Sequence, residues 1–327
     1  MRYLITGGAG FIGSHLTDAL ASRGDEVVVL DDLSTGRAEN IASALESGAV
    51  ELVEGSIMDA GLVDHCVQST DVCLHLAAAV GVELILDRPL DSLLRNVRGS
   101  DNVISSVANK GGKVLVASSS EVYGKNNVGP LTETADRILG PPSTARWAYS
   151  TAKAFAEMLA NAYRYEHQTE TVIFRLFNTV GPRQTGAYGM VLPRFVRQAL
   201  DGEPLSVYGD GTQTRCFTHV YDVVNAILRL CATDAAVGHT FNIGSLHEIA
   251  IGDLARRVLE RTGSSSDISL VPYEEAYGEG FEEIGRRLPS LLLIGEITGW
   301  GPTRGLDDMI DDVIAQHGDR TEVSETV

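Results

Sequence analysis

The chain has 327 residues, 44% of them hydrophobic, and carries a formal net charge of −18. That length suits one large α/β domain or two modest ones with an ample core, and the apolar content argues against long disordered stretches outside the polar tail "GDRTEVSETV". The negative balance argues against nucleic acid or an anionic membrane as partner, but not against an anionic nucleotide, because charges beyond about 8 Å are screened at physiological salt and pocket arginines then decide.

In chain order, the apolar "RYLI" runs into "ITGGAGFIGS" at residues 5–14, and Phe11, Ile12, His15, Leu16, Ala19 and Leu20 then recur at helical spacing up to Gly24. The stretch reads as strand, glycine turn, helix. Gly8, Gly10 and Gly13 fit G-x-G-x-x-G, and Gly7 precedes them. Such glycines permit a tight turn, let the backbone approach a diphosphate, and let the helix pack on the strand with its free N–H groups facing the anion. Asp31 ends the next apolar run, "EVVVLDDL", roughly 20 residues further on, where a carboxylate holds both ribose hydroxyls and repels a 2′-phosphate. The expected cofactor is therefore NAD rather than NADP.

Candidate strands at 2–6, 26–31, 50–54, 71–76, 113–118 and 171–176 alternate with helical patterns near 12–23, 38–47, 60–68, 91–110 and 148–167. Alternation of this kind predicts an α/β fold, a doubly wound parallel sheet whose ligands lie at the carboxyl ends of the strands. Beyond residue 179 the pattern loosens. A loop, "NTVGPRQTGAYGMVLP", leads to an amphipathic helix around "RFVRQALDG", and "HTFNIGS" reads as a strand returning to the sheet. The expected division is a nucleotide-binding domain at 1–178 completed by segments within 214–244, a small lobe from 179–213 and 245–318, and a flexible tail at 319–327. The segment "VPYEEAYGEGFEEIGRRLPS" is expected in the lobe, over the carboxyl edge of the sheet.

Cys66, Cys73, Cys216 and Cys231 are scattered without C-x-x-C spacing and read as reduced thiols of a cytoplasmic protein. The eight histidines form no ligand cluster, so no metal is expected. The chain reads as having no leader before its first strand and no apolar run long enough to span a bilayer. No internal repeat or low-complexity linker is evident.

In "WAYSTAKAFAEML", Tyr149 and Lys153 stand four apart and share one helix face. A phenol titrates near 10, too high for a base at neutral pH, and a neighbouring ammonium is expected to lower it, as is the positive nicotinamide. Such a tyrosine takes the proton of a sugar hydroxyl as hydride leaves the carbon.

Taken together, "GGAGFIG", "DDLSTG", "HLAA", "SSSEVYG", "YSTAK", "RLFNTVGPR" and "GDGTQTRCFTHVYD" resemble the extended short-chain dehydrogenase/reductase family acting on nucleotide sugars, in the family's order and over nearly the whole chain. The resemblance implies a tightly held NAD, a UDP- or dTDP-sugar oxidised at C4, and a homodimer through helices 91–110 and 148–167. It carries cofactor contacts to Gly7, Gly10, Phe11, Ile12, Gly13, Asp31, Ile57, Leu76, Ala77, Ala78, Tyr149 and Lys153. It places Ser119 on the C4 oxygen beside Tyr149. Substrate contacts are carried to Ser120, Asn178, Arg183, Tyr208, Arg215, which clamps the diphosphate, and Arg286, a neighbour that reaches a phosphate or takes the role of Arg287.

Ser120 and Glu121 discriminate within the family. The 4,6-dehydratases carry Asp-Glu there, because a carboxylic acid must protonate the departing C6 hydroxyl, and a serine cannot. Simple 4-epimerases have no use for the Glu121 charge. Ser-Ser-Glu is similar to the pattern of UDP-glucuronate decarboxylases, and Arg287 in "GRRLPS" matches their Arg-x-Pro run, with the arginine near the reacting carboxylate. The resemblance thus implies C4 oxidation, loss of the β-carboxylate as carbon dioxide, protonation at C5 by Glu121 with Arg287 or a held water, and re-reduction to UDP-xylose. A UDP-sugar 4-epimerase acting on UDP-glucose, UDP-galactose or UDP-glucuronate is the alternative. A non-catalytic NAD-binding regulator is the reading from another class, although such proteins usually lose the Tyr or Lys. Departures from the family pattern are Ser56, in place of the acid that contacts adenine, and the loops "AVGVELILDRPL" and "TGAYGMVLP" bordering the sugar, which leave release of a 4-keto-pentose open.

Overall fold

Hydrophobic side chains alternate strictly along the early strands, and this period of two decides the layering. In the computed structural model, which describes residues 1–79, 89–185, 190–277, 282 and 284–324 (side chains as far as 317), β1 (Arg2–Thr6) turns Tyr3 and Ile5 to one core and Leu4 to another. β2 (Glu26–Asp31) does the same with Val27 and Val29 against Val28 and Leu30. Strands buried on both faces need helices on both, and parallel pairing with helical crossovers supplies them.

The sheet has seven parallel strands. Residues 240–243 pair with β6 (Glu170–Leu176), followed by β5 (Lys113–Ser119), β4 (Val72–His75), β1, β2 and β3 (Val50–Glu54). One face is covered by α1 (Phe11–Ser22) and the Val220–Ala232 helix, the other by the Ala60–Gln68, Pro89–Lys110 and Arg146–His167 helices. The strand order reverses between β1 and β4, so the turns after them, at Gly7 and Leu76–Ala78, flank a crevice at the carboxyl edge. The strand read from "HTFNIGS" joins the edge of this sheet.

A third apolar cluster lies apart from the sheet. It gathers Leu192, Phe195 and Val196 of the Val191–Leu200 helix, Leu254 and Val258 of the Ile251–Thr262 helix, and Met309, Ile310 and Val313 of the Leu306–Ser324 helix. That last helix runs into the segment expected as a tail. Its apolar face is anchored in this cluster, and the helix continues to Ser324 through residues read as a flexible terminus. Residues 325–327 lie outside the described residues, as do 80–88 and 186–189 of the two divergent loops and 278–281 and 283 of the segment expected over the sheet edge.

Candidate active site

A cleft of about 860 Å³ runs along the carboxyl edge from the glycine loop to Arg287. At one end it is built of backbone. Gly7 has a φ of +74°, and a Cβ there would come within 2.9 Å of the Ala77 amide nitrogen. A Cβ at Gly13 would collide with the Gly7 carbonyl oxygen. No side chain caps the α1 N-terminus and no acid occupies its first turn, so its N–H groups are left for an anion. Asp31 is buried and takes hydrogen bonds from the Ala9 and Leu33 amides, both at 2.9 Å. Burial raises its carboxyl above the ordinary range and these amides oppose the shift. Its carboxylate therefore braces the glycine loop as well as facing the cleft. Phe11, Ile12, Ile57 and Leu76–Ala78 line the same end. This cradle admits a dinucleotide where any side chain at Gly7 or Gly13 would not.

Ser119, Tyr149 and Lys153 meet midway along the cleft. Ser119 ends β5 and caps the short 3₁₀ turn Ser120–Tyr123, its Oγ accepting the Glu121 N–H at 3.2 Å. With that lone pair occupied, its O–H is free to donate toward the cleft. Lys153 is buried, donates to the Ala117 carbonyl at 2.8 Å and sits 5.9 Å from the Tyr149 ring centroid. Burial pushes the ammonium down to about 8, against the counter-charge of Glu157. The expectation of a lowered phenol is corrected for the protein by itself. Exclusion of solvent raises Tyr149 above its ordinary value, the Glu121 carboxylate adds to this, and Ser119 opposes it. The phenolate is not preformed.

At the far end, Glu121 sits between two buried guanidiniums. Arg287 Nη2 donates to Glu121 Oε1 at 2.5 Å, and Arg287 Nη1 lies 3.5 Å from Ser120 Oγ. Arg146 Nη2 stands 3.6 Å from the same carboxylate oxygen. Burial by itself would raise the Glu121 carboxyl, but Arg287, then Arg146 and Arg215, hold it below its usual range. At neutral pH it is therefore a carboxylate.

Asn178, Arg183, Tyr208 and Arg215 also line the cleft, Arg183 with Nη2 2.6 Å from Asp18 Oδ2. Arg286 does not. It forms a two-pronged pair with Glu248, at 2.9 and 2.6 Å, outside the cleft. Four arginines that line the cleft escaped the sequence reading, Arg37, Arg95, Arg146 and Arg194. Arg146 is the first residue of the Tyr149 helix, one turn before Tyr149, and that (i, i+3) spacing was the available signal. Arg194 backs Tyr208, its guanidinium 4.0 Å from the ring centroid, and nothing in the local pattern marked it. Among the described residues there is no cluster of His, Cys, Asp or Glu suited to a metal, and all four cysteines are free.

The chain has known relatives. The chain is 40% identical over 303 residues, 92% of each chain, to the UDP-N-acetyl-alpha-D-glucosaminuronate decarboxylase of Bacillus cytotoxicus. It is 34% identical over 313 residues to UDP-glucuronic acid decarboxylase 1 of Xenopus tropicalis, covering 96% of this chain and 71% of that one. Its fold superposes on the dTDP-glucose 4,6-dehydratase of Streptomyces venezuelae, solved with NAD bound, at a TM-score of 0.89 with 29% identity and 98% of each chain covered. The profile of one family matches residues 3–244, and the chain belongs to that family, the NAD dependent epimerase/dehydratases.

Proposed function

We propose that the protein is an NAD-dependent decarboxylase of a UDP-hexuronate, with UDP-glucuronate as substrate and UDP-xylose as product. The observation that carries this reading is the half-buried Glu121 paired with the buried Arg287 at the sugar end and flanked by Arg146. A 4-epimerase has no need of it, and the Ser120 hydroxyl cannot serve the dehydratase's acid step.

NAD, when bound in the glycine cradle, supplies the oxidation at C4 and its reversal. Ser119 donates to the C4 oxygen while Tyr149 takes the C4 hydroxyl proton, helped by the Lys153 ammonium. In the resulting 4-ketone the C6 carboxylate is β to the carbonyl. The C5–C6 bond breaks, carbon dioxide leaves, and the electron pair enters an enolate whose oxygen is stabilised by Ser119 and Tyr149. Arg287 and Arg146 favour a bound uronate by charge, and Glu121, kept ionised, orients Arg287. A water held by Arg287 delivers the proton to C5, and bulk solvent reprotonates the hydroxide left behind. Arg215 and Arg183 face the diphosphate, where guanidinium forks suit phosphate oxygens.

Incubating the protein with UDP-glucuronate and following nucleotide-sugar mass tests this reading. Loss of carbon dioxide supports it, and an unchanged mass with a new chromatographic peak would replace it with epimerisation. The similarity to the Bacillus cytotoxicus enzyme favours a second substrate, the 2-acetamido uronate, and the two substrates in competition decide which is preferred.

The homodimer belongs to the same proposal. Leu90, Phe155, Met158 and Tyr165 stand exposed on the Pro89–Lys110 and Arg146–His167 helices, which suits burial against a second copy. Sedimentation of a Met158→Glu variant checks it. Free cysteines and a nucleotide-sugar substrate support a cytoplasmic location; no described helix is long and apolar enough to cross a membrane.

A further inference from the structure

Behind Glu121 and Arg287 runs a second, buried polar chain that the chemistry above does not use. Tyr123 is 1% exposed and closes the same 3₁₀ turn that carries Glu121. Its hydroxyl accepts from Arg175 Nη1 at 2.8 Å and donates to Asn242 Oδ1 at 2.7 Å. The Asn242 amide, fully buried at the sheet edge, donates to the carbonyls of Leu131 at 2.9 Å and Ser290 at 3.3 Å. Leu131 in turn clasps the segment that bears Arg287. Its N–H donates to the Leu288 carbonyl at 2.7 Å, and its own carbonyl accepts the Ser290 N–H at 2.8 Å.

The hydroxyl is the informative atom here. Packing of the Tyr123 ring against Leu131, Ala154 and Phe177 needs only a phenylalanine, and a buried hydroxyl is costly unless it is bonded on both sides. The polar chain runs from the turn that presents Glu121, through Asn242 and Leu131, to the loop that presents Arg287. We propose that Tyr123 and Asn242 are positioning residues: their hydrogen bond holds the Arg287 segment against Glu121 and thereby governs breakage of the C5–C6 bond, but not hydride transfer at C4.

The oxidation end has fastenings of its own, besides the Ser118–Glu157–Arg175 hydrogen bonds that reach it from Tyr123. Ser119 is held in sheet register opposite Leu176, and Lys153 is tied to the Ala117 carbonyl. Losing the Tyr123 hydroxyl leaves Arg175 bound to both oxygens of Glu157, at 2.8 and 2.7 Å, and to the Glu133 carbonyl at 2.8 Å. The proposal rests on the decarboxylase reading.

The test is a single turnover of the NAD-loaded protein with UDP-glucuronate labelled at C6, reading nicotinamide reduction and released carbon dioxide separately. Tyr123→Phe and Asn242→Ala should each reduce nicotinamide within about threefold of the wild-type rate while releasing carbon dioxide about 10- to 100-fold more slowly, the scale of a slight misplacement of a reacting group. A 4-keto-hexuronate should accumulate meanwhile. Because Asn242→Ala already removes the acceptor of the Tyr123 hydroxyl, the double variant should be no slower than Asn242→Ala. Melting temperature and NAD affinity confirm the fold, and should Asn242→Ala not fold, Tyr123→Phe decides by itself. Both steps slowing together, or neither slowing, overturns the positioning role. A wild-type protein that releases no carbon dioxide overturns the decarboxylase reading, and the positioning role with it.

Discussion

The two ends of the cleft are made in different ways. The cofactor end centres on one continuous stretch, β1, a glycine turn and α1, whose working groups are backbone N–H groups and a clearance that only glycine leaves open. The sugar end is a constellation of charged side chains, Glu121, Arg146 and Arg287, brought from three distant parts of the chain. Arg286 and Arg287 show the consequence. These neighbours are alike in chemistry, yet one pairs with Glu248 at the surface while the other is 6% exposed beside Glu121. A backbone site can be specified by a local motif, whereas a charge constellation depends on which side of a loop the fold buries.

The largest effect should come from the group that joins the two ends. Tyr149→Phe should lower turnover by about 10³-fold, the usual range for a general base, and abolish nicotinamide reduction along with carbon dioxide release. Next, Arg287→Ala should cut carbon dioxide release about 10²-fold with nicotinamide reduction kept, and Arg286→Ala should stay within about twofold of wild type. Equal losses in the two would erase the contrast between them. Gly13→Ala should weaken NAD binding about tenfold, as 1–3 kcal/mol of overpacking would, and calorimetric titration would read it. The smallest effect concerns pH. The carboxyl of Glu121 is depressed in the folded protein, so its stabilisation is complete above its ordinary value of 4.5 and is lost as pH falls through the lower folded value. The stability gap between wild type and Glu121→Gln, followed by denaturant titration, should therefore narrow only in acid.

Much of the fold was legible because parallel strands advertise themselves as short apolar runs between amphipathic helices. The residues placed in the cleft from motifs, Ser119, Tyr149 and Lys153 among them, stand at the carboxyl ends of strands or on the helix that follows. Arg194 was not legible, and Arg146 had only its spacing to Tyr149 to mark it. A lone arginine at a helix start has no pattern until the fold shows what it faces. The environment of Tyr149 was misjudged for a related reason. The helical spacing placed Lys153 on the correct side, but the phenol is raised first by its burial and then by the Glu121 carboxylate from the turn after β5, and Lys153 donates to the Ala117 carbonyl. The C-terminal helix was missed because its anchoring residues, Met309, Ile310 and Val313, precede the polar stretch that looked unable to order itself.

By itself the sequence determined the glycine cradle, the parallel sheet and the Tyr–Lys pair, since each rests on spacing within one element and on the conformational freedom of a single residue type. Only the tertiary structure decided which arginines are buried, that Glu121 is ionised between two of them, and that Tyr123 and Asn242 tie the Arg287 segment to the turn. Burial and charge pairing are sums over neighbours far apart in the chain, and those neighbours exist only once the sheet has brought them together.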